Sequence, residues 1–268
     1  MKFSCVYPLY YKSKISEVIR SFKSINNQSL KASEILIIFD GPVSKEIFSF
    51  FIKKKNQNKK IRIINFKKNV GLGKLLSKVV KLAKYEIIIR ADSDDINKKE
   101  RFKYLINYLK KNSSIHVVSS YVKEIHKNRE LVKKLPLNHD EIVKIINFKN
   151  PINHPAVAFR KKAVLNCGGY EDVPYFEDYF LWTKMINKNY KFHNLNKTLV
   201  ISKIDDKFYS RRSGIQYLGH YLFFLNKIRS KKYINLFDYF INFSLRTFIY
   251  ILPNLFVISF YKYFNNRK

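Results

Sequence analysis

Three carboxylates fall within four residues at Asp92-Ser93-Asp94-Asp95, and a further acidic pair, Glu177-Asp178, follows later in the chain. Like charges this close repel unless a cation or solvent relieves them. Oxygen-only donors suit Mg²⁺ or Mn²⁺, which also bridge phosphate oxygens. The alternative is a solvated acidic turn capping the next helix. In a chain with 20 acidic residues against 52 basic ones, such clustering behind an apolar run points to a metal–diphosphate site. Asn69-Val70-Gly71-Leu72-Gly73-Lys74 opens a helical pattern. A glycine-rich helix start with a lysine suits a phosphate, or is only a tight strand-to-helix turn. Leu76 stands where a dinucleotide fingerprint needs its third glycine, which disfavours dehydrogenase chemistry. Gly168-Gly169 permits a sharp turn ahead of Phe176-Glu177-Asp178-Tyr179-Phe180-Leu181-Trp182. First-turn carboxylates serve a helix dipole. An acid among aromatics also serves as a general base in an acceptor pocket. The residues alone leave both roles open.

The elements that must hold these groups are legible from period. Phe3–Tyr7, Glu34–Phe39, Ile61–Asn65 and Tyr85–Arg90 read as strands. The runs Ile35–Ile38 and Ile87–Ile89 have the continuous β-branched character of strands buried on both faces. Between them Lys14–Asn26, Ser44–Lys55 and Gly71–Lys84 read as helices, the last with Leu72, Leu75, Leu76, Val79, Val80 and Ala83 at helical spacing. Alternation of strand and helix predicts an α/β fold with a mostly parallel, doubly wound sheet. Ligands of such sheets bind at the carboxyl ends of the strands. Those ends carry Tyr7-Pro8-Leu9-Tyr10, Asp40-Gly41-Pro42 and the Asp92–Asp95 cluster. Farther on the pattern gives a helix at Lys98–Lys111, strands in Ile115–Ile125, a helix near His139–Phe148, a strand around Pro155–Phe159 and a helix after Pro174.

Composition narrows the function classes. The 268 residues carry a formal net charge of +32. At roughly 150 residues per domain this is one large domain, or one domain with an appendage. A hydrophobic fraction of 46% supports a full core. Two cysteines, Cys5 and Cys167, exclude a disulfide scaffold and a cysteine-rich zinc module, and fit a reducing cytosol. Met1 leads straight into a strand-like run, so no signal peptide is expected. The charge is built from 41 Lys against 11 Arg, with only 6 Ala, the mark of a compositional bias more than of base readout, which favours Arg. From Tyr233 to Phe264 aromatic and aliphatic residues dominate. The uncharged core of that run, Thr247–Tyr261, is 15 residues and contains Pro253. A spanning helix needs roughly 20. Arg246, Lys262, Arg267 and Lys268 flank it, so the segment reads as a membrane-interface element or as a helical hairpin packed on the domain.

Taken together and in order, these pieces resemble the family 2 glycosyltransferases of the GT-A fold, and within them the amylovoran-type branch that builds bacterial polysaccharide and lipopolysaccharide. The carriers are Tyr7–Tyr10, Asp40–Pro42, Asn69–Lys74, Arg90–Asp95, Glu100–Phe102, Asn150–Pro155, Gly168–Tyr170, Phe176–Trp182 and Tyr209–Gly214. The likeness covers about residues 1–220. It implies a GT-A domain over 1–220, divided into a nucleotide-sugar half (1–112) and an acceptor half (113–220), followed by a helical, membrane-interface segment over 221–268. It also implies roles. Pro8, Tyr10, Asp40, Lys74, Asp92, Asp95, Arg211 and Arg212 would hold a nucleotide-diphosphate sugar, UDP-linked by preference. Asp94 with Asp92 would hold Mn²⁺ or Mg²⁺. Asp178 would be the general base and Glu177 would steer the acceptor, with Trp182 and His154 lining the acceptor site. Many members carry two acids before the glycine where this chain has Phe39-Asp40, which leaves the nucleotide base less defined.

The implied reaction is an inverting transfer to a hydroxyl of a glycan or polyprenyl-linked acceptor. It would occur at the cytoplasmic face of the inner membrane, where the tail meets anionic lipid. No nucleic-acid partner is expected. The competing reading, a basic nucleic-acid-binding protein, needs exposed base-stacking aromatics or a recognition helix. The aromatics here sit instead in apolar runs and at the C-terminus. A nucleotidyltransferase is disfavoured because its glycine-rich basic N-terminal loop is missing.

Overall fold

In the computed structural model, which describes residues 1–251, the apolar runs become strands whose two faces are each covered by helices. The first half alternates β1 (Phe3–Tyr10), α1 (Ile15–Asn26), β2 (Glu34–Asp40), α2 (Lys45–Gln57), β3 (Ile61–Asn65), α3 (Leu72–Leu82), β4 (Ile87–Arg90), β5 (Ile96–Asn97) and α4 (Arg101–Lys111). The second half runs β6 (Ile115–His126), β7 (Arg129–Lys133), α5 (His139–Ile145), β8 (Ala158–Arg160), α6 (Lys161–Asn166), α7 (Glu177–Asn187), β9 (Lys191–Lys203), α8 (Asp206–Ser210), α9 (Gly214–Ser230) and α10 (Leu236–Ile251). Every residue of β2 is buried, as its unbroken apolar sequence requires.

The nine strands among the described residues form one sheet in the order β3-β2-β1-β4-β8-β6-β9-β5, with β7 paired to β6. β1 to β4 are parallel, which meets the sequence expectation. Beyond β4 the sheet is mixed: β8 is antiparallel to both β4 and β6, whereas β6 and β9 are parallel. The expected strand around Pro155–Phe159 is shorter, because His154–Ala156 forms a 3₁₀ turn before β8. The helix expected from Lys98 starts at Arg101. Helices α1, α2 and α4 pack on one face through Val18, Phe22, Ile47, Phe51, Phe102 and Leu105. Helices α3, α5, α6, α7 and α9 pack on the other. Burying each such Leu, Ile or Phe contributes roughly 1.5–3 kcal/mol. Cys5 and Cys167 are buried free thiols.

The C-terminal pair α9 and α10 forms a hairpin packed on α7. Phe224 stacks on Phe176 with ring centroids 5.1 Å apart and lies 4.7 Å from Tyr179. Tyr221 donates to Asn242 (3.0 Å) and Tyr239 to Asn226 (2.7 Å), which closes α10 onto α9. Through residue 251 the segment is helical and lies against α9, and α9 itself runs through residue 221, where the sequence reading divides the chain. Among the described residues no helix is long and apolar enough to cross a membrane. Most of the Thr247–Tyr261 core, with Lys262, Arg267 and Lys268, lies outside the described residues.

Candidate active site

β4 ends in Arg90, and the chain turns there into Asp92–Asp95. Arg90 is buried and grips Asp92 with both ends of its fork: Nη1 donates to Oδ2 (2.7 Å) and Nη2 lies 2.5 Å from Oδ1. A bidentate guanidinium–carboxylate pair fixes orientation as well as charge. A second, fully buried arginine supports the first: Arg101 of α4 donates through Nη2 to the Arg90 carbonyl (2.6 Å) and through Nη1 to Asn97 Oδ1. Ser21 of α1 donates to the Asp92 carbonyl (2.6 Å). The acidic turn is therefore held on three sides and is not a free cap.

The three acids of that turn differ. Asp92 is partly exposed. Asp94 keeps an accessible side chain, yet lost solvation, and then the Asp92 charge, push its carboxyl up to about 6. Asp95 is buried, and burial, followed by its two acidic neighbours, raises it well above the usual range against a hydrogen bond from Ser202 of β9. Asp95 is thus buried with Ser202 against it, where the sequence reading expected a carboxylate open to a donor. Asp94 is exposed and Asp92 partly so. Among the described residues no group of three His, Cys, Asp or Glu is arranged to hold a metal ion. Two carboxylates do fit a hard divalent cation whose remaining ligands are diphosphate oxygens and water.

Asp40 and the glycine-rich turn act on each other. Asp40 is buried; its Oδ1 accepts from the Val70 N–H (2.8 Å) and its carbonyl from Asn69 Nδ2 (3.2 Å). Gly41 has φ +82°, and a Cβ there would lie 2.6 Å from the Asn69 nitrogen. Gly73 in the first turn of α3 is equally constrained, since a Cβ would lie 2.4 Å from the Glu171 carbonyl oxygen and 3.3 Å from Glu177 Cβ. The glycines therefore let α3 press against the loop that carries the second acidic pair. Lys74 is exposed and ion-paired to Asp172 at 2.7 Å. At the end of β1, Pro8 is half-buried, and Tyr10 is exposed and packs edge-to-face on Tyr11 (5.6 Å).

Glu177 and Asp178 open α7. Asp178 Oδ2 accepts from Asn150 Nδ2 (2.9 Å). Asn150 Oδ1 accepts in turn from the Ile152 N–H (3.2 Å), and the segment that follows is tied down where Asn194 of β9 donates to the Pro151 carbonyl (2.9 Å) and Asn153 to the Ser120 carbonyl (2.9 Å). Burial raises the Asp178 carboxyl; the Asn150 hydrogen bond, the Tyr179 N–H and the Arg90 and Lys133 charges oppose the rise. Glu177 is pushed up to about 7 by burial first and by Asp178 second, with Arg90 and Arg212 pulling the other way. Arg90 thus feels both acidic pairs. Arg212 donates to the Phe208 carbonyl (3.2 Å) and lies 3.9 Å over the Phe208 ring, while Arg211 beside it is exposed.

Two expected acceptor contacts are corrected. Trp182 is fully buried among His154, Phe159, Tyr170 and Phe192, so it is a core residue beneath the site. His154 is also buried; its Nε2 pairs with the Tyr170 hydroxyl (2.9 Å), and its Nδ1 lies 4.0 Å from Asp178 Oδ2. Burial, then Arg90, holds its pKa well below the usual value, so it is neutral. It stands behind Asp178 and does not face an acceptor.

Arg90, Asn150 and Glu171 carry the site without having been assigned roles from the sequence. Glu171 is a clamp: Lys184 of α7 (2.7 Å) and Lys227 of α9 (2.9 Å) take its two oxygens, and Lys184 also donates to the Gly169 carbonyl (2.7 Å). A charged residue ending an apolar strand was the available signal for Arg90. Asn150 stands in the Asn150–Pro155 stretch that carries the resemblance, but nothing local marked it or Glu171 for these contacts, since their partners are distant in sequence.

Residues 4–169 match the profile of Glycosyl transferase family 2. Over 264 residues the chain is 32% identical to an Escherichia coli UDP-Gal:alpha-D-GlcNAc-diphosphoundecaprenol beta-1,3-galactosyltransferase, covering 97% of this chain and 95% of that protein. It is 31% identical to the amylovoran biosynthesis glycosyltransferase AmsE of Erwinia amylovora, covering 81% of each. Among solved structures, S. aureus TarS 1-349 in complex with UDP-GlcNAc superimposes with a TM-score of 0.64 at 17% identity, covering 85% of this chain and 66% of that one. The Pyrobaculum calidifontis mannosyltransferase PcManGT, in complex with GDP-Man and Mn²⁺, gives 0.64 at 12%, covering 85% and 64%. The chain spans less than two-thirds of these solved chains, and the likeness to them is one of fold.

Proposed function

The chain belongs to glycosyl transferase family 2, as a glycosyltransferase of polysaccharide biosynthesis, and from that premise we propose an inverting, metal-assisted transfer from a UDP-sugar to a sugar on a lipid-linked diphosphate. The observation that carries this reading is the pairing, around one buried arginine, of a solvent-accessible Asp92/Asp94 pair with a first-turn Glu177/Asp178 pair. The donor belongs at the ends of β1, β2 and β4, near Pro8, Tyr10, Asp40 and Asp92. Asp92 and Asp94 would hold Mn²⁺ or Mg²⁺, which supplies charge neutralisation for a departing diphosphate.

The chain's own groups do the rest. Arg90 fixes Asp92, and Arg211 and Arg212 offer guanidinium forks to the diphosphate. Asp178, its carboxylate held by Asn150, takes the proton of the attacking hydroxyl; general base help is worth roughly 10²–10⁴-fold. One base and a single displacement give inversion at the anomeric carbon. Glu177, placed beside it, orients the acceptor. UDP-sugar specificity and the diphospholipid acceptor are carried over from the E. coli relative's activity. Incubation of UDP-sugars with a GlcNAc-diphosphate-alkyl acceptor, with Mn²⁺ and then with chelator, tests the proposal. Metal-dependent formation of a β-linked product is expected, and transfer undiminished by chelation removes the metal.

We further propose that the enzyme is peripheral at the cytoplasmic membrane face. Phe237, Phe240, Leu245 and Phe248 of α10 are exposed, and Lys231, Lys232 and Arg246 accompany them. An aromatic face with adjoining cations suits an anionic bilayer surface. The nucleic-acid alternative rested on net charge alone, and family membership removes its basis.

A further inference from the structure

Immediately ahead of α7 the chain makes a tight turn in which the Phe176 N–H donates to the Val173 carbonyl (2.8 Å), with Pro174 second and Tyr175 third. Tyr175 has φ +68°. Proline followed by a positive φ is the pattern of a type II turn, whose third position favours Gly or Asn. Three other non-glycine residues among those described have positive φ: Lys127, Asn189 and Lys232. Lys127 lies in the hairpin between β6 and β7, and Asn189 and Lys232 follow the ends of α7 and α9. Left-handed backbone is routine at hairpins and helix C-termini. Tyr175 alone of the four is aromatic, and alone lies neither in a hairpin nor just past a helix end. The chain thus spends strain to place a bulky ring where glycine would serve the turn better, and such strain concentrates at functional sites.

The ring is only partly spent on packing. Tyr175 is 47% exposed, whereas Val173 and Phe176 on either side are buried and anchor the turn. The exposed ring leans on α9: its centroid lies 5.3 Å from Tyr217 at 77° and 5.2 Å from His220 at 48°. An aromatic shelf is therefore held rigidly two and three residues ahead of Glu177 and Asp178. Its chemistry is apolar and quadrupolar, with no fixed charge of its own. That suits a pyranose, whose C–H face is apolar and whose hydroxyls point to the edge. The nucleotide is accounted for elsewhere, at the ends of β1 and β2.

We propose that Tyr175, backed by Tyr217 and His220, is the platform of an acceptor-sugar subsite, on which the pyranose bearing the attacked hydroxyl lies beside Asp178. This rests on the acceptor reading given above. A pre-formed shelf lowers the ordering cost of binding, so its loss should fall on acceptor KM.

The test uses the full chain and its Y175F, Y175A and Y175G forms, with UDP-Gal and a GlcNAc-diphosphate carrying a short alkyl chain. Two measurements are made: transfer kinetics, and saturation-transfer NMR of the GlcNAc ring protons. Y175A and Y175G should raise acceptor KM at least tenfold, with donor KM within twofold of wild type, while Y175F stays within twofold for both. Ring-proton saturation should vanish in Y175A and Y175G and persist in Y175F. Y175G should melt no lower than Y175A, because glycine relieves the positive φ. Equal saturation and acceptor KM in Y175A and wild type would overturn the proposal. So would losses in Y175G that merely follow a fall in Tm. Wild-type saturation without transfer would count against the proposed reaction while leaving the subsite standing; absence of saturation in the wild type would refute the subsite.

Discussion

Arg90 and Asp92 form a two-pronged ion pair, 2.5 and 2.7 Å, with the arginine buried at the carboxyl end of β4. The arginine's charge acts on Asp178 as well as on Asp92, and it helps to keep the Asp178 carboxyl ionised. Arg90→Gln should destabilise the fold by about 2–4 kcal/mol, since it strips a partner from a poorly solvated charge. It should also move the rising limb of the kcat/KM pH profile to higher pH, because Asp178 then loses a stabilising charge. An unshifted profile in a folded variant would detach Arg90 from the base.

Asp178→Asn keeps the shape and an oxygen for Asn150, so Tm should change little. kcat should fall about 10²–10⁴-fold if the carboxylate is the base. Steady-state rates at saturating acceptor measure this, and undiminished turnover would end the assignment.

Glu177 carries a stability signature. Its ordinary value is 4.5 and in the fold it rises to about 7. The native state therefore binds the proton more tightly, and stability falls as pH climbs from about 4.5 to 7, by about 1–3 kcal/mol in all. Glu177→Gln should abolish that slope, giving a higher Tm than wild type at pH 8 and little difference at pH 4. Parallel melting curves for the two proteins across this range would contradict the burial argument.

Gly73→Ala inserts a Cβ 2.4 Å from the Glu171 carbonyl oxygen. The helix must shift, at a cost of about 1–3 kcal/mol. The same shift displaces Glu177, so calorimetry and kcat should fall together. A native Tm would mean that the 171–177 loop yields freely.

For the hairpin, replacing Phe237, Phe240 and Phe248 by Ser removes exposed apolar area and leaves the buried contacts intact. Co-sedimentation with phosphatidylglycerol vesicles should drop severalfold while Tm holds. Retained binding would move the membrane contact elsewhere.

Local pattern was enough for the parallel half of the sheet, because β2 and β4 are buried on both faces and read as unbroken apolar runs. It also located both acidic clusters. It misplaced Trp182, since an aromatic beside an acid looks alike whether it lines a pocket or fills the core. His154 failed for the same reason: its partners, Tyr170 and Asp178, are set by folding. The strand at β8 was legible, but its antiparallel direction had no local mark, because it follows from pairing with β4 and β6, which are distant in sequence.

The Glu171 clamp has a consequence for synthesis. A nascent chain that has reached Asn187 already holds both acidic pairs, but it lacks Lys227 and the Phe224 ring that lies against Phe176 and Tyr179. The chain emerges from its N-terminus, and a domain folds as a unit. Until α9 leaves the ribosome, an aromatic face of α7 stays uncovered and Glu171 is held by Lys184 alone. A chain released before that point would expose the apolar rings of Phe176 and Tyr179 that Phe224 covers in the finished fold.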